Sequence, residues 1–183
     1  EFLNIDGSML AFNKASLKDF VYDNGFSTQS PKFDYLLDLK GNKIEAKRGE
    51  VYVPIFYQSE GVVKEGDILS IGEYTLKVVG FVRDSQMSSS ISVSKRFIIN
   101  EEDYKTIKEL GSLEYLIEFR LHDLKDASKI EAAYAKSDLE SNGPPFLNYH
   151  LFKIVNAFSD GITIIALLII GLMIIGISLL CIR

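Results

Sequence analysis

Cysteine is almost missing from this chain: the one copy in 183 residues, Cys181, lies inside a C-terminal apolar run. Everything before that run therefore lacks both a disulfide framework and thiolate chemistry. Histidine is nearly as scarce, and His122 and His150 are not spaced as a metal-binding pair. Each reads as a surface or hydrogen-bonded side chain. A basic excess is also lacking, since 25 acidic residues face 20 basic ones. That balance argues against nucleic acid or anionic lipid headgroups as main partners. The chain has no phosphate-cradling glycine motif and no nucleophile elbow, which argues against ATP hydrolysis within it. Adjacent acids such as Glu101-Glu102 open a helix and need no catalytic explanation. No catalytic set, cofactor site or metal site is expected.

What the chain does contain is a long apolar run, residues 161–183, interrupted by no charge until Arg183. About 20 helical residues at about 1.5 Å each span a hydrocarbon core about 30 Å thick. The run is expected to be a transmembrane helix reaching from Ile162 to Ile182. Positive charge favours the cytoplasmic side, so Arg183 predicts that residues 1–160 lie outside the cell membrane. The run is C-terminal and cannot be a cleaved N-terminal signal, so a further span ahead of Glu1 and more chain after Arg183 are expected. Gly171 and Gly176 are five apart and form no GxxxG face, although Ala166, Gly171 and Ser178 offer small surfaces for helix packing. A cysteine-free exported domain of this size fits a bacterial surface.

The pattern ahead of the run is that of an α+β fold: a mixed domain of hairpins and two or more helices over residues 1–145, a helical stalk over 146–160, and the span over 161–183. Leu17, Phe20 and Val21 are spaced for a helix over residues 15–22, with Asn24-Gly25 as its stop. Residues 33–39 alternate and meet a Lys40-Gly41-Asn42 turn, predicting a hairpin with Ile44 and Ala46. Pro54 argues against a central strand over residues 51–57. The clearest hairpin covers residues 67–83 around Gly72-Glu73, entered through the tight turn Lys64-Glu65-Gly66-Asp67. A strand is expected at Arg96-Phe97-Ile98-Ile99, followed by a short helix capped by Asn100. Alternation of Leu113, Tyr115, Ile117, Phe119 and Leu121 predicts a half-buried strand, and residues 126–139 a second helix.

Two segments stand out as candidate functional elements. The serine-rich stretch over residues 83–94 reads as a loop, and Gln86, Met87, Ser88, Ser89, Ser90 and Ile91 are its candidate partner-contact residues, with Met87 and Ile91 as adaptable apolar anchors. Pro144 and Pro145 stop the last domain helix. The following stretch, including Phe152, is expected to run as a stalk into the span and to couple the two mechanically.

The order Val51-Tyr52-Val53-Pro54, then the Lys64-Glu65-Gly66-Asp67 turn, then Val78-Val79-Gly80-Phe81 and a C-terminal membrane helix resembles the outer domain of FtsX/MacB-like ABC transporter permeases. Segments Asp84-Ser85-Gln86-Met87 and Ser94-Lys95-Arg96-Phe97 look like those of Gram-positive members. The resemblance covers residues 51–97 and the final helix. It implies an extracytoplasmic domain and second membrane helix of a permease that passes on the motion of a cytoplasmic ATP-binding subunit. It further implies a homo- or heterodimer of permeases and an extracellular protein or peptide as substrate, with efflux or control of a partner as the work done. A different class fits the same layout: an outer sensory domain whose helix signals to a cytoplasmic kinase or cyclase.

Overall fold

A computed structural model describes the chain outside residues 21, 85–86, 89–91, 116, 118, 138–146 and 182–183, and gives the backbone alone for 147–156 and 175–181. The chain forms two units, Glu1–Glu118 and Phe119–Arg183. The class is α+β, as the pattern predicts, with one helix among the described residues long and apolar enough to cross a membrane.

Short apolar stretches separated by turns build the first unit. Its strands are β1 (Phe2–Ile5), β2 (Leu10–Phe12), β3 (Ala15–Ser16), β4 (Asp23–Ser27), β5 (Glu50–Pro54), β6 (Ile68–Ile71), β7 (Tyr74–Val82), β8 (Ser94–Ile98) and β9 (Ser112–Glu114). Two short helices, α1 (Ile55–Ser59) and α2 (Glu101–Ile107), follow β5 and β8. Among the described residues the strands form one mixed sheet in the order β3-β2-β6-β7-β5-β8-β4-β1-β9. The pairs β5–β7 and β4–β8 are parallel and the others antiparallel.

The main core takes Leu3 and Ile5 from β1, Phe12 from β2, Phe26 from β4, Val51 and Val53 from β5, and Phe97 from β8, all almost fully buried. Tyr57 of α1 sits at its centre, within 5.9 Å of the Phe12 ring and 5.7 Å of the Phe97 ring. A smaller cluster of Leu36, Ile44, Val82 and Ile98 packs with Tyr52. The loop that supplies Leu36 and Ile44 is fastened by Gln29: its Nε2 donates to the carbonyls of Leu36 and Ile44, and its Oε1 accepts from the N–H groups of Ser30 and Leu36.

Local signals are obeyed where they are self-contained. The hairpin β6–β7 forms, and its entry turn closes with Lys64 N–H donating to Asp67 Oδ2 at 2.9 Å while Gly66 takes φ 91°. Asn100 caps α2, its Oδ1 accepting from the N–H groups of Glu102 and Asp103 at 2.8 and 2.9 Å.

Four expectations are overturned. Residues 15–22 make no helix among those described: Asn13 and Lys14 turn through left-handed backbone (φ 45° and 76°), β3 pairs back on β2, and Leu17 N–H bonds to Leu10 O at 2.8 Å. Asn24-Gly25 is accordingly no helix stop but part of β4, where the Phe2 ring lies so close to Gly25 that any Cβ would collide with it. Pro54 does not keep β5 out of the sheet interior, because it is the last residue of the strand and the N-cap of α1, where its missing N–H costs no interior ladder bond. The half-buried strand expected to reach Leu121 is cut to β9, whose ladder with β1 ends at Glu114 opposite Phe2. Leu113, Tyr115, Ile117 and Phe119 are exposed. The hairpin expected after residue 33 shrinks to one bridge, Leu37 opposite Lys43, closed by Asp38 N–H donating to Asn42 O at 2.9 Å.

In the second unit, α3 (Ala127–Ala135) falls within the helix expected over residues 126–139, of which 138 and 139 lie outside the described residues. Helix α4 (Leu147–Cys181) is one unbroken element of 35 residues. It passes through Ser159-Asp160-Gly161 without interruption, and Thr163 Oγ1 donates to Ser159 O at 2.9 Å. Its window Ala157–Ile174 has a mean hydropathy of 2.3, and none of that window is buried.

Candidate functional site

The serine-rich loop joins β7 to β8, and both of its roots are built from polar bonds. At the β7 end, Asp84 Oδ1 accepts from Met87 N–H at 3.1 Å, and Asp84 N–H donates to Ser88 Oγ at 2.7 Å. Both bonds reach back to Asp84, and Met87 and Ser88 are half-buried. At the β8 end, Lys95 Nζ donates to Ser92 O at 2.5 Å. The two roots are then joined to each other: Arg96 Nε lies 3.0 Å from Asp84 Oδ2, with the side chains 6% and 3% exposed.

Burying these charges is costly unless each meets a partner. Arg96 meets its carboxylate. Lys95 is fully buried, and its ammonium lies 4.3 Å from the Tyr22 ring centre and 4.7 Å from that of Phe56. The negative faces of those rings attract a cation. Desolvation still pushes the Lys95 pKa below its ordinary value. Close by, Tyr57 Oη donates to Asn24 Oδ1 at 2.5 Å, and burial raises the Tyr57 pKa.

Chemically, this arrangement holds and orients. Its cations face a carboxylate, a carbonyl and ring faces, with the geometry of anchoring rather than of nucleophile and base. Among the described residues, no group of three or more His, Cys, Asp or Glu side chains could hold a metal ion. An open groove of about 460 Å³ lies elsewhere on the sheet unit, lined by Met9, Ile71, Gly72, Glu73, Tyr74 and Leu110. The Tyr74 hydroxyl there is already committed to Asp103 Oδ1 at 2.7 Å.

Of the candidate contact residues, Met87 and Ser88 bond to Asp84 at the β7 root of the loop, whereas Gln86, Ser89, Ser90 and Ile91 fall outside the described residues. So do Pro144, Pro145 and Ile182. Phe152 and Gly176 lie on α4, described by backbone alone. Ile162 is exposed on α4, and the Cβ position of Gly171 faces open space. Sequence reasoning missed Asp84, Lys95, Arg96, Asn24 and Tyr57. One signal was present: two adjacent cations lead directly into the apolar run Phe97-Ile98-Ile99, where a strand buried on both faces leaves no room for unpaired charge. Comparison with protein-family models, curated proteins and solved structures finds no match to the chain.

Proposed function

We propose that this chain is the extracytoplasmic domain and a membrane helix of an FtsX/MacB-like ABC transporter permease, coupling ATP hydrolysis in a separate cytoplasmic subunit to work on an extracellular protein or peptide. The observation that carries the reading is α4. Its 35 residues form one helix, roughly 50 Å long at about 1.5 Å per residue, against a hydrocarbon core about 30 Å thick. About 20 Å therefore projects from the bilayer as a stalk, on the side bearing Asn148, Lys153 and Asn156. A stiff helix shared between bilayer and stalk is what mechanical transmission requires, since a flexible linker would absorb the motion. The Lys64–Asp67 turn and the β6–β7 hairpin, which carry the family resemblance, support the same reading.

The test is to tag the full-length protein in its native membrane, solubilise it gently and identify what co-purifies. A stoichiometric ATP-binding subunit is the expected result. A single polypeptide carrying its own cytoplasmic signalling domain would replace this reading with the sensory receptor. Given the ATPase, a flexible Gly/Ser insertion after Phe152 is expected to abolish transport while leaving ATP binding intact. Unchanged transport would remove the stalk from the mechanism.

A further inference from the structure

The sheet has one thin line. Between β5 and β8 the ladder holds a single registered pair, Tyr52 with Ile98. On their other sides, β5 has five registered pairs with β7, and β8 has five with β4. Backbone pairing therefore holds β5 to β8 less extensively than it holds either strand to its other neighbour. This line divides the sheet into β3-β2-β6-β7-β5 and β8-β4-β1-β9.

The buried polar groups described above lie across that line. Asp84, just after β7, reaches Arg96 on β8. Lys95 of β8 lies over Phe56 of α1, the helix that continues β5. Tyr57 of α1 donates to Asn24 of β4. Apolar contacts cross it too, since Tyr57 lies 5.7 Å from Phe97 and Tyr52 packs with Ile98. Apolar packing tolerates small slides, whereas opposite charges 3.0 Å apart in a dry site resist being drawn apart. Replacing a buried ion pair by apolar residues is often neutral or even stabilising, so its contribution is better sought in the arrangement it selects than in stability.

We infer that the β5–β8 line is a built-in seam along which the sheet unit yields, and that the Asp84–Arg96 pair together with Lys95 is the latch that holds it shut. The inference goes beyond the permease reading and stands without it.

Residue-resolved hydrogen exchange on the full chain, at increasing low concentrations of urea, tests the seam. Amides of β5 and β8 that face each other are expected to exchange through a partial opening at least about tenfold more often than those of the β6–β7 hairpin and the β1–β4 ladder. Exchange of all these strands through one global unfolding would overturn the seam. The double substitution Asp84→Leu with Arg96→Met tests the latch. It is expected to speed exchange in β5 and β8 by a further factor of about ten, with the melting temperature held to within a few degrees. Uniform acceleration across every strand, or none at the seam, would overturn the latch.

Discussion

Phe97 and Leu168 are both large apolar side chains in regular secondary structure, and their fates are opposite. Phe97 is fully buried and stacks on Phe26 with ring centres 4.7 Å apart. Leu168 is 62% exposed, and Phe158, Ile162, Ile165 and Leu172 on the same helix are exposed as well. In the sheet unit the chain itself supplies the apolar surroundings. In α4 they must come from elsewhere, because so large a patch of bare apolar surface is not stable in water. The difference is one of burial: the sheet unit covers most of its large apolar side chains itself, whereas α4 leaves those of residues 157–174 bare.

The sharpest way to break that comparison is a matched pair of truncations. Phe97→Ala is expected to cost the sheet unit about 3–5 kcal/mol, the range for deleting a buried ring, read as a lowered thermal midpoint by near-UV circular dichroism. Leu168→Ala is expected to leave that midpoint where it is. If the two substitutions lowered it equally, α4 would be part of a shared core and the division would fail. Next in size is a charge placed in α4. Leu168→Arg should disfavour membrane insertion by about 2.5–3.5 kcal/mol, measured as the fraction resisting alkaline carbonate extraction, again with the sheet unit's midpoint unchanged. Undiminished insertion would mean that α4 does not meet lipid at this position.

The same contrast explains what could be read in advance. The apolar run at the C-terminus, the β6–β7 hairpin and the Asn100 cap are written within a few consecutive residues. The helix proposed over residues 15–22 failed because Leu17 and Phe20 are spaced for a helix but are recruited to the core from a turn. The effect of Pro54 depends on where in the strand it falls, and the start of α1, which no pattern at Pro54 itself marks, decides that. Gly25 is needed by the ring of Phe2, which comes from β1, a different strand. The Asp84–Arg96 pair joins the two ends of a loop, and no local pattern marks such a closure. Alternation after Ser112 looked like burial, yet alternation records only that a segment could lie on a sheet.

The smallest expected effect sharpens the comparison from the polar side, since the sheet unit holds the charge of a turn with its own backbone. Asp67 accepts from Lys64 N–H at 2.9 Å, and that bond holds its carboxyl below the ordinary value of 3.8. A carboxyl lowered on folding contributes stability above its unfolded pKa and loses it as the pH falls through the folded one. Asp67→Asn retains an oxygen acceptor for the turn but has no charge to titrate. The gap in stability between the two chains is therefore expected to be widest near neutrality, to begin closing as the pH reaches 3.8, and to vanish below the folded pKa. Urea denaturation of both chains along that pH series measures it. A gap that stayed constant with pH would mean that the turn depends on the shape of the side chain and not on its charge.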